Sequence, residues 1–126
     1  MEEAGKLGYK PLLISDHIDC EARQAGDLLY DKILEHRNDG RDIALIMGGE
    51  TIVHVRGKGL GGRNQELVFS QLKKLSELDG VLIMSLGSDG TDGPTDAAGA
   101  YADCSSYGKL LEKGGNFEMI LEDNDS

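Results

Sequence analysis

The sequence predicts an α/β fold: a mixed, mostly parallel sheet flanked by helices, with a β-hairpin. Three observations point to it. Strand-like apolar runs alternate along the chain with segments whose apolar residues recur every three to four positions, the order that builds helix-covered parallel sheets. Two strand-like runs, residues 43–47 and 51–55, are separated by Gly48-Gly49-Glu50, and paired glycines supply the positive φ of a tight reversal. At 126 residues the chain has material for one core and no second.

Taken in order, residues 9–15 are rich in apolar side chains (Leu12, Leu13, Ile14) and are followed by Asp16, which reads as a buried strand with a polar end. From Ile18, apolar positions recur at Ala22, Ala25, Leu28, Leu29 and Ile33, the stripe of an amphipathic helix that stops near Asn38-Asp39-Gly40. The expected hairpin of residues 43–55 comes next. A glycine loop then runs through Gly62, Asn64 reads as an N-cap, and Leu67, Val68, Leu72, Leu75 and Leu78 mark one helical face. Val81-Leu82-Ile83-Met84 with Leu86, bounded by Asp79-Gly80 and Gly87, has the all-apolar look of a central strand covered on both faces. Residues 97–102 are ambiguous, residues 105–113 read as a helix, and Gly114-Gly115 breaks it before a last segment at 117–121.

Composition narrows the function. Thirteen basic against 23 acidic residues give a net charge of −10, which repels nucleic-acid phosphates and anionic membranes, so neither is an expected partner. The two cysteines, Cys20 and Cys104, have no metal-ligand spacing and read as reduced thiols. The apolar runs are far shorter than a membrane span and the opening residues are acidic, so a cytoplasmic location is expected.

Chemistry concentrates in two segments. In Gly57-Lys58-Gly59-Leu60-Gly61-Gly62-Arg63-Asn64-Gln65-Glu66, a glycine loop opens directly onto a helix, whose free N–H groups and dipole favour an anion. Lys58 and Arg63 add full charges, and the guanidinium fork of Arg63 suits two oxygens of a phosphate or carboxylate. A plain connector with solvated charges would also look like this. Gly57, Gly59 and Gly62 satisfy the G-x-G-x-x-G dinucleotide pattern, which is weak alone, and the absence of a Lys-Ser/Thr pair after the glycines excludes a P-loop.

The second segment, from Gly87 to Asp96, brings Asp89, Asp92 and Asp96 together after an apolar strand. Such hard oxygens suit Mg²⁺, with Asp89 and Asp96 as candidate ligands and Ser88 and Thr91 as hydrogen-bond donors, although Asp-Gly runs also simply make turns. Glu50 is either an ordinary turn carboxylate or a third acidic group facing the same cleft. His17, His36 and His54 stand singly and read as structural or solvated.

Gly48-Gly49-Glu50-Thr51, the stretch from Val55 to Glu66, and the run Gly87-Ser88-Asp89-Gly90-Thr91-Asp92-Gly93-Pro94-Thr95-Asp96-Ala97-Ala98-Gly99 closely resemble the MOFRL family in order and spacing. That family forms the C-terminal domain of type 2 glycerate kinases, which transfer the γ-phosphate of ATP to the 2-hydroxyl of glycerate; some members are called hydroxypyruvate reductases. The resemblance implies a single domain over residues 1–126, glycerate and ATP as substrates, Mg²⁺ as cofactor, and a larger N-terminal kinase domain or separate chain as partner. It also implies a further C-terminal segment beyond Ser126, and a chain inactive by itself. Arg63, Lys58 and Asp89 become candidate catalytic residues. Gly59, Gly61, Gly62, Asn64, Gln65, Glu66, Glu50, Ser88 and Thr91 become candidate substrate or phosphate contacts, and Asp89 and Asp96 the metal ligands. A nicotinamide-dependent reductase and a non-catalytic assembly module are the alternatives.

Overall fold

A computed structural model describes residues 1–53 and 57–126. A short helix, α1 (Glu2–Lys6), leads into strand β1 (Lys10–Ile18), helix α2 (Ala22–His36) and strand β2 (Ile43–Gly49). Helices α3 (Arg63–Phe69) and α4 (Leu72–Leu75) follow, then strands β3 (Ile83–Leu86) and β4 (Gly99–Ala102), and finally α5 (Ser106–Glu112) and α6 (Phe117–Glu122). The strands form two pairs: β1 and β2 are parallel, β3 and β4 antiparallel. The mixed α/β class and an antiparallel pair are therefore present.

The core lies between the strands and helices α2, α3, α4 and α6. Ala22 and Ala25 present small, fully buried faces on α2, while Leu67 and Val68 of α3, Leu72 and Leu75 of α4, Ile83, Ala102 and Phe117 complete the cluster. Burying a leucine of this kind stabilises the fold by about 1.5–3 kcal/mol. At Gly26 a methyl group would lie 2.7 Å from Gln71 Nε2 and 2.9 Å from the Leu67 carbonyl, so α2 crosses α3 at a distance only glycine allows. Phe117 stacks on Phe69, ring centroids 5.2 Å apart, and takes the edge of Tyr107 at 6.1 Å, which seats α6 against α3 and α5.

Four local expectations change. Gly48-Gly49 does not reverse the chain: Ile18 pairs with Gly49 and Glu21 with Ile52, both parallel, so the strand direction continues. Gly49, at φ 135°, instead lets the backbone pass Ile18, where a Cβ would come within 2.3 Å of the Ile18 nitrogen. The antiparallel pair falls at β3 and β4, and His54, Val55 and Arg56 of the expected second strand lie outside the described residues. Helix α2 starts at Ala22 because Ile18 is the last residue of β1; Glu21 is its N-cap, forming a reciprocal capping box with Gln24. Gly62, not Asn64, is the N-cap of α3. Last, β3 is covered on one face alone among the described residues: Ile83 is buried while Leu82, Met84 and Leu86 are exposed.

Candidate functional site

The carboxyl ends of β2 and β3 point to the same place. There the chain from Gly48 to Thr51 and the chain from Met84 to Asp89 form opposite walls of a cleft of about 590 Å³, with Arg63 and Asn64 at the start of α3 between them. Its deeper lining, Leu29, Leu45, Met47 and Leu67, is apolar and half-buried or buried, while Glu50, Arg63, Ser88 and Asp89 are exposed and form its mouth. The Arg63 Nη1 is 3.0 Å from Glu50 Oε1. The Asp89 carboxyl is held below the usual carboxylate range by hydrogen bonds from the Thr91 backbone N–H and side chain, which outweigh desolvation, with a further contribution from the charge of Arg63. Glu50, Arg63, Asn64, Ser88 and Asp89 of the sequence-predicted site are thus brought together.

The remaining candidates sit elsewhere, and the glycine loop explains why. An anion does occupy the start of α3, and it is the chain's own. Asp92, 2% exposed, accepts hydrogen bonds from the Asn64 N–H (2.9 Å), the Gln65 N–H (2.8 Å) and the Asn64 side-chain amide (3.0 Å). The loop amides are likewise taken from within. Gly57 N–H donates to Asn124 Oδ1, Lys58 N–H to Asp123 Oδ1, and Leu60 N–H to Asp125 Oδ1. Gly59 N–H and Gly61 N–H donate to the carbonyls of Asp123 and Asn124, both at 2.8 Å. The glycines permit this close approach, since a Cβ on Gly57 would fall 2.4 Å from the Asp123 Cα and one on Gly59 2.5 Å from the Asp125 Cα. Gly59 and Gly61 therefore give their amides to the tail, and neither they nor Gly62 line the cleft.

Glu66 is buried behind the loop, accepting from Asn124 Nδ2 at 2.8 Å and lying 3.5 Å from Arg23 Nε. Gln65 holds the acidic loop in place, donating to Thr95 Oγ1 at 2.8 Å. Lys58 and Thr91 are exposed and do not line the cleft, and the same is true of Asp96. Among the described residues no three His, Cys, Asp or Glu side chains gather closely enough to form a metal site by themselves. One carboxylate such as Asp89 together with substrate phosphates remains compatible with the way Mg²⁺ is ordinarily held. The cysteines are both free thiols.

Reasoning from sequence missed three contributors: Asp92 as the α3 anion, the tail from Asp123 to Asp125, and Ser85, whose hydroxyl donates to Asn64 Oδ1 at 2.6 Å. The tail's alternating Asp-Asn-Asp is a set of short acceptors and could have been matched to a loop rich in unpaired amides. The Asp92 contact joins residues 28 positions apart, and only the fold brings them together.

The fold and its cleft place the chain among α/β domains that carry a polar cleft at the carboxyl ends of their strands. Within that class, the chain belongs to the MOFRL family, which it matches over residues 43–126. It is 44% identical to D-glycerate 2-kinase of Thermotoga maritima over 127 residues, covering 98% of this chain and 30% of that protein. It is 40% identical to human glycerate kinase over 109 residues, 82% of this chain and 21% of the relative. The crystal structure of glycerate kinase from Thermotoga maritima is similar with a TM-score of 0.91 at 42% identity, covering 98% of this chain and 31% of the solved one. The chain thus spans less than a third of the length of these relatives.

Proposed function

We propose that the chain is the phosphate-handling domain of a glycerate 2-kinase, transferring the γ-phosphate of ATP to the 2-hydroxyl of glycerate together with polypeptide outside these residues. The observation that carries the reading is the cleft mouth, where Arg63, Glu50, Ser88 and Asp89 converge at the ends of β2 and β3. Arg63 is the one cation among the described residues that line the cleft and binds the glycerate carboxylate or a phosphate through its fork; Lys58, near the loop's exposed edge, adds long-range attraction. Ser88 donates to a bound oxygen.

Mg²⁺ would be held by Asp89 and the nucleotide's phosphates, with Asp96 on the same loop as a second candidate, and would supply charge neutralisation on the transferring group. In the reaction the 2-hydroxyl oxygen bonds to the γ-phosphorus, the bond to the ADP oxygen breaks, and the hydroxyl proton passes to a cleft carboxylate, Asp89 or Glu50. Positioning and charge do most of the work in such a transfer. The nicotinamide reductase reading loses ground here, because the place a dinucleotide pyrophosphate would take at the helix start is filled by the Asp92 carboxylate.

The test is a replacement of the matching region of the Thermotoga maritima relative by this chain. The chimera is assayed for MgATP-dependent phosphorylation of glycerate and titrated calorimetrically with glycerate, MgATP and NADH. Phosphorylation that falls at least roughly 100-fold in the Arg63→Ala variant supports the reading. A folded chimera that binds NADH, or that keeps full activity without Arg63, overturns it.

A further inference from the structure

The cleft's deep part has a property its mouth does not need: it lies between two open strand edges. β2 pairs with β1 alone and β3 with β4 alone among the described residues, so each keeps an open edge, and residues of both strands line the same cleft. The hydrogen-bond alternation fixes which groups face inward. Asp42 carbonyl, Glu50 N–H and Ile52 N–H bond toward β1 and its continuation, so the even-numbered residues turn that way, and the backbone groups of Leu45 and Met47 turn toward the gap. On the other side, Gly87 N–H bonds to the Ala98 carbonyl in a ladder that continues Leu86 opposite Gly99 and Met84 opposite Tyr101. Alternation along an antiparallel pair then turns the N–H and C=O of Met84 and Leu86 outward, into the same gap. All four residues line the cleft, whose floor includes Leu29 and Leu67.

Neither edge is protected. Residues 43–49 and 83–86 contain no charge and no proline, the devices by which true edge strands refuse a partner. The apolar face of Met84 and Leu86 is exposed, although an apolar run of this kind belongs to a strand covered on both sides. The gap runs along seven residues of β2 and four of β3, and the shorter wall is roughly 13 Å of extended chain, within the ordinary range of strand lengths.

We infer that the gap between β2 and β3 receives an extended, apolar strand from the part of the family polypeptide outside these 126 residues, joining the two strand pairs into one continuous sheet. That polypeptide is there to supply it, since the chain covers 30% of the Thermotoga maritima relative and most of that protein lies outside the match. The inserted strand satisfies the backbone groups of Leu45, Met47, Met84 and Leu86 at once, and its apolar side chains meet Leu29 and Leu67. The polar mouth with Arg63 and Asp89 stays open. The inference goes beyond the kinase reading and does not depend on it.

Backbone hydrogen exchange reads it without any substrate. The amides of Leu45, Met47, Met84 and Leu86 are compared in the isolated chain and in the chimera described above, against the Ile83 and Ser85 amides already bonded to β4. The four amides are expected to exchange at least about 100-fold more slowly in the chimera, after correction for the change at Ile83 and Ser85. Equal exchange in both settings overturns the inference. Protection that appears in the isolated chain and grows with its concentration also overturns it, in favour of a second copy as occupant. Should the chimera fail to fold, the aligned amides of the intact Thermotoga maritima relative are measured instead: slow exchange there supports the inserted strand, and fast exchange sinks it.

Discussion

At the scale of single residues, the carboxylates of this chain divide by what surrounds them. Asp92 is nearly fully buried and gives both oxygens to the start of α3, so it acts as an internal anion and not as a ligand of anything exogenous. Asp92→Ala leaves the Asn64 and Gln65 amides without acceptors in a half-buried setting. Losing the anion at the helix start and leaving two half-buried donors unpaired together cost about 1–3 kcal/mol, read as a lower urea midpoint in the isolated chain. Glu50 differs: exposed and paired with Arg63, it holds the guanidinium in place. Glu50→Gln is expected to leave stability within about 0.5 kcal/mol, since exposed ion pairs contribute little. In the chimera it should raise KM for glycerate several-fold with a smaller change in kcat, as expected of a residue that orients the binding cation. A fall in kcat alone would instead give Glu50 the proton-accepting role.

At the scale of elements, the loop and tail stand or fall together. Five loop amides are closed by three consecutive tail residues, Asp123 to Asp125. Gly61→Ala would put a Cβ 2.7 Å from the Asn124 carbonyl and 2.8 Å from the Ser126 nitrogen, both backbone atoms that cannot swing aside. It should destabilise the chain by about 1–3 kcal/mol and speed amide exchange at Leu60 and Gly61, the positions bonded to the tail, more than at Ile83. Uniform acceleration across the chain would mean that loop and tail are not a local unit. The same contact shows what was legible in the sequence. Helix α2, the strand at Ile83 and the meeting of Arg63 and Asp89 follow from periodicity and from the rule that sites gather at strand ends, whereas Glu50 read equally well as an ordinary turn carboxylate. The reversal expected at Gly48-Gly49 does not form, because two glycines indicate freedom of φ without saying which chain passes close by, and here it is Ile18. The loop's acceptors were hidden for a related reason: sequence shows which amides are unpaired locally, while their partners lie about 65 positions away.

At the scale of the whole molecule, charge sets a pH optimum for stability. The net charge is −10 at pH 7 and the isoelectric point is about 4.6, so acidification from neutrality first removes self-repulsion and stabilises the compact state. An opposing effect enters lower down. For Asp27, burial works against ionisation, but hydrogen bonds from Gln71 and Lys74 and the charge of Lys74 outweigh it, so its folded pKa lies below the usual value. Asp103, hydrogen-bonded by Ser105, and Glu118, paired with Lys73, are lowered as well, as is Asp89. A group whose pKa is depressed by folding stabilises the chain above its unfolded value, and that contribution disappears as pH falls through the folded value. Unfolded carboxyls titrate near 4, so the loss begins below about pH 5 and continues past 4. Since these groups are largely exposed, each contributes modestly and the descent should be gradual. The urea midpoint of the isolated chain is therefore expected to rise from pH 8 to a maximum between about 5 and 6, then to fall below it. Added salt should raise the midpoint at pH 8, where repulsion dominates, and have little effect near the isoelectric point. A midpoint that climbs steadily from pH 5 to 8 would show that specific carboxylate contacts outweigh the net charge throughout.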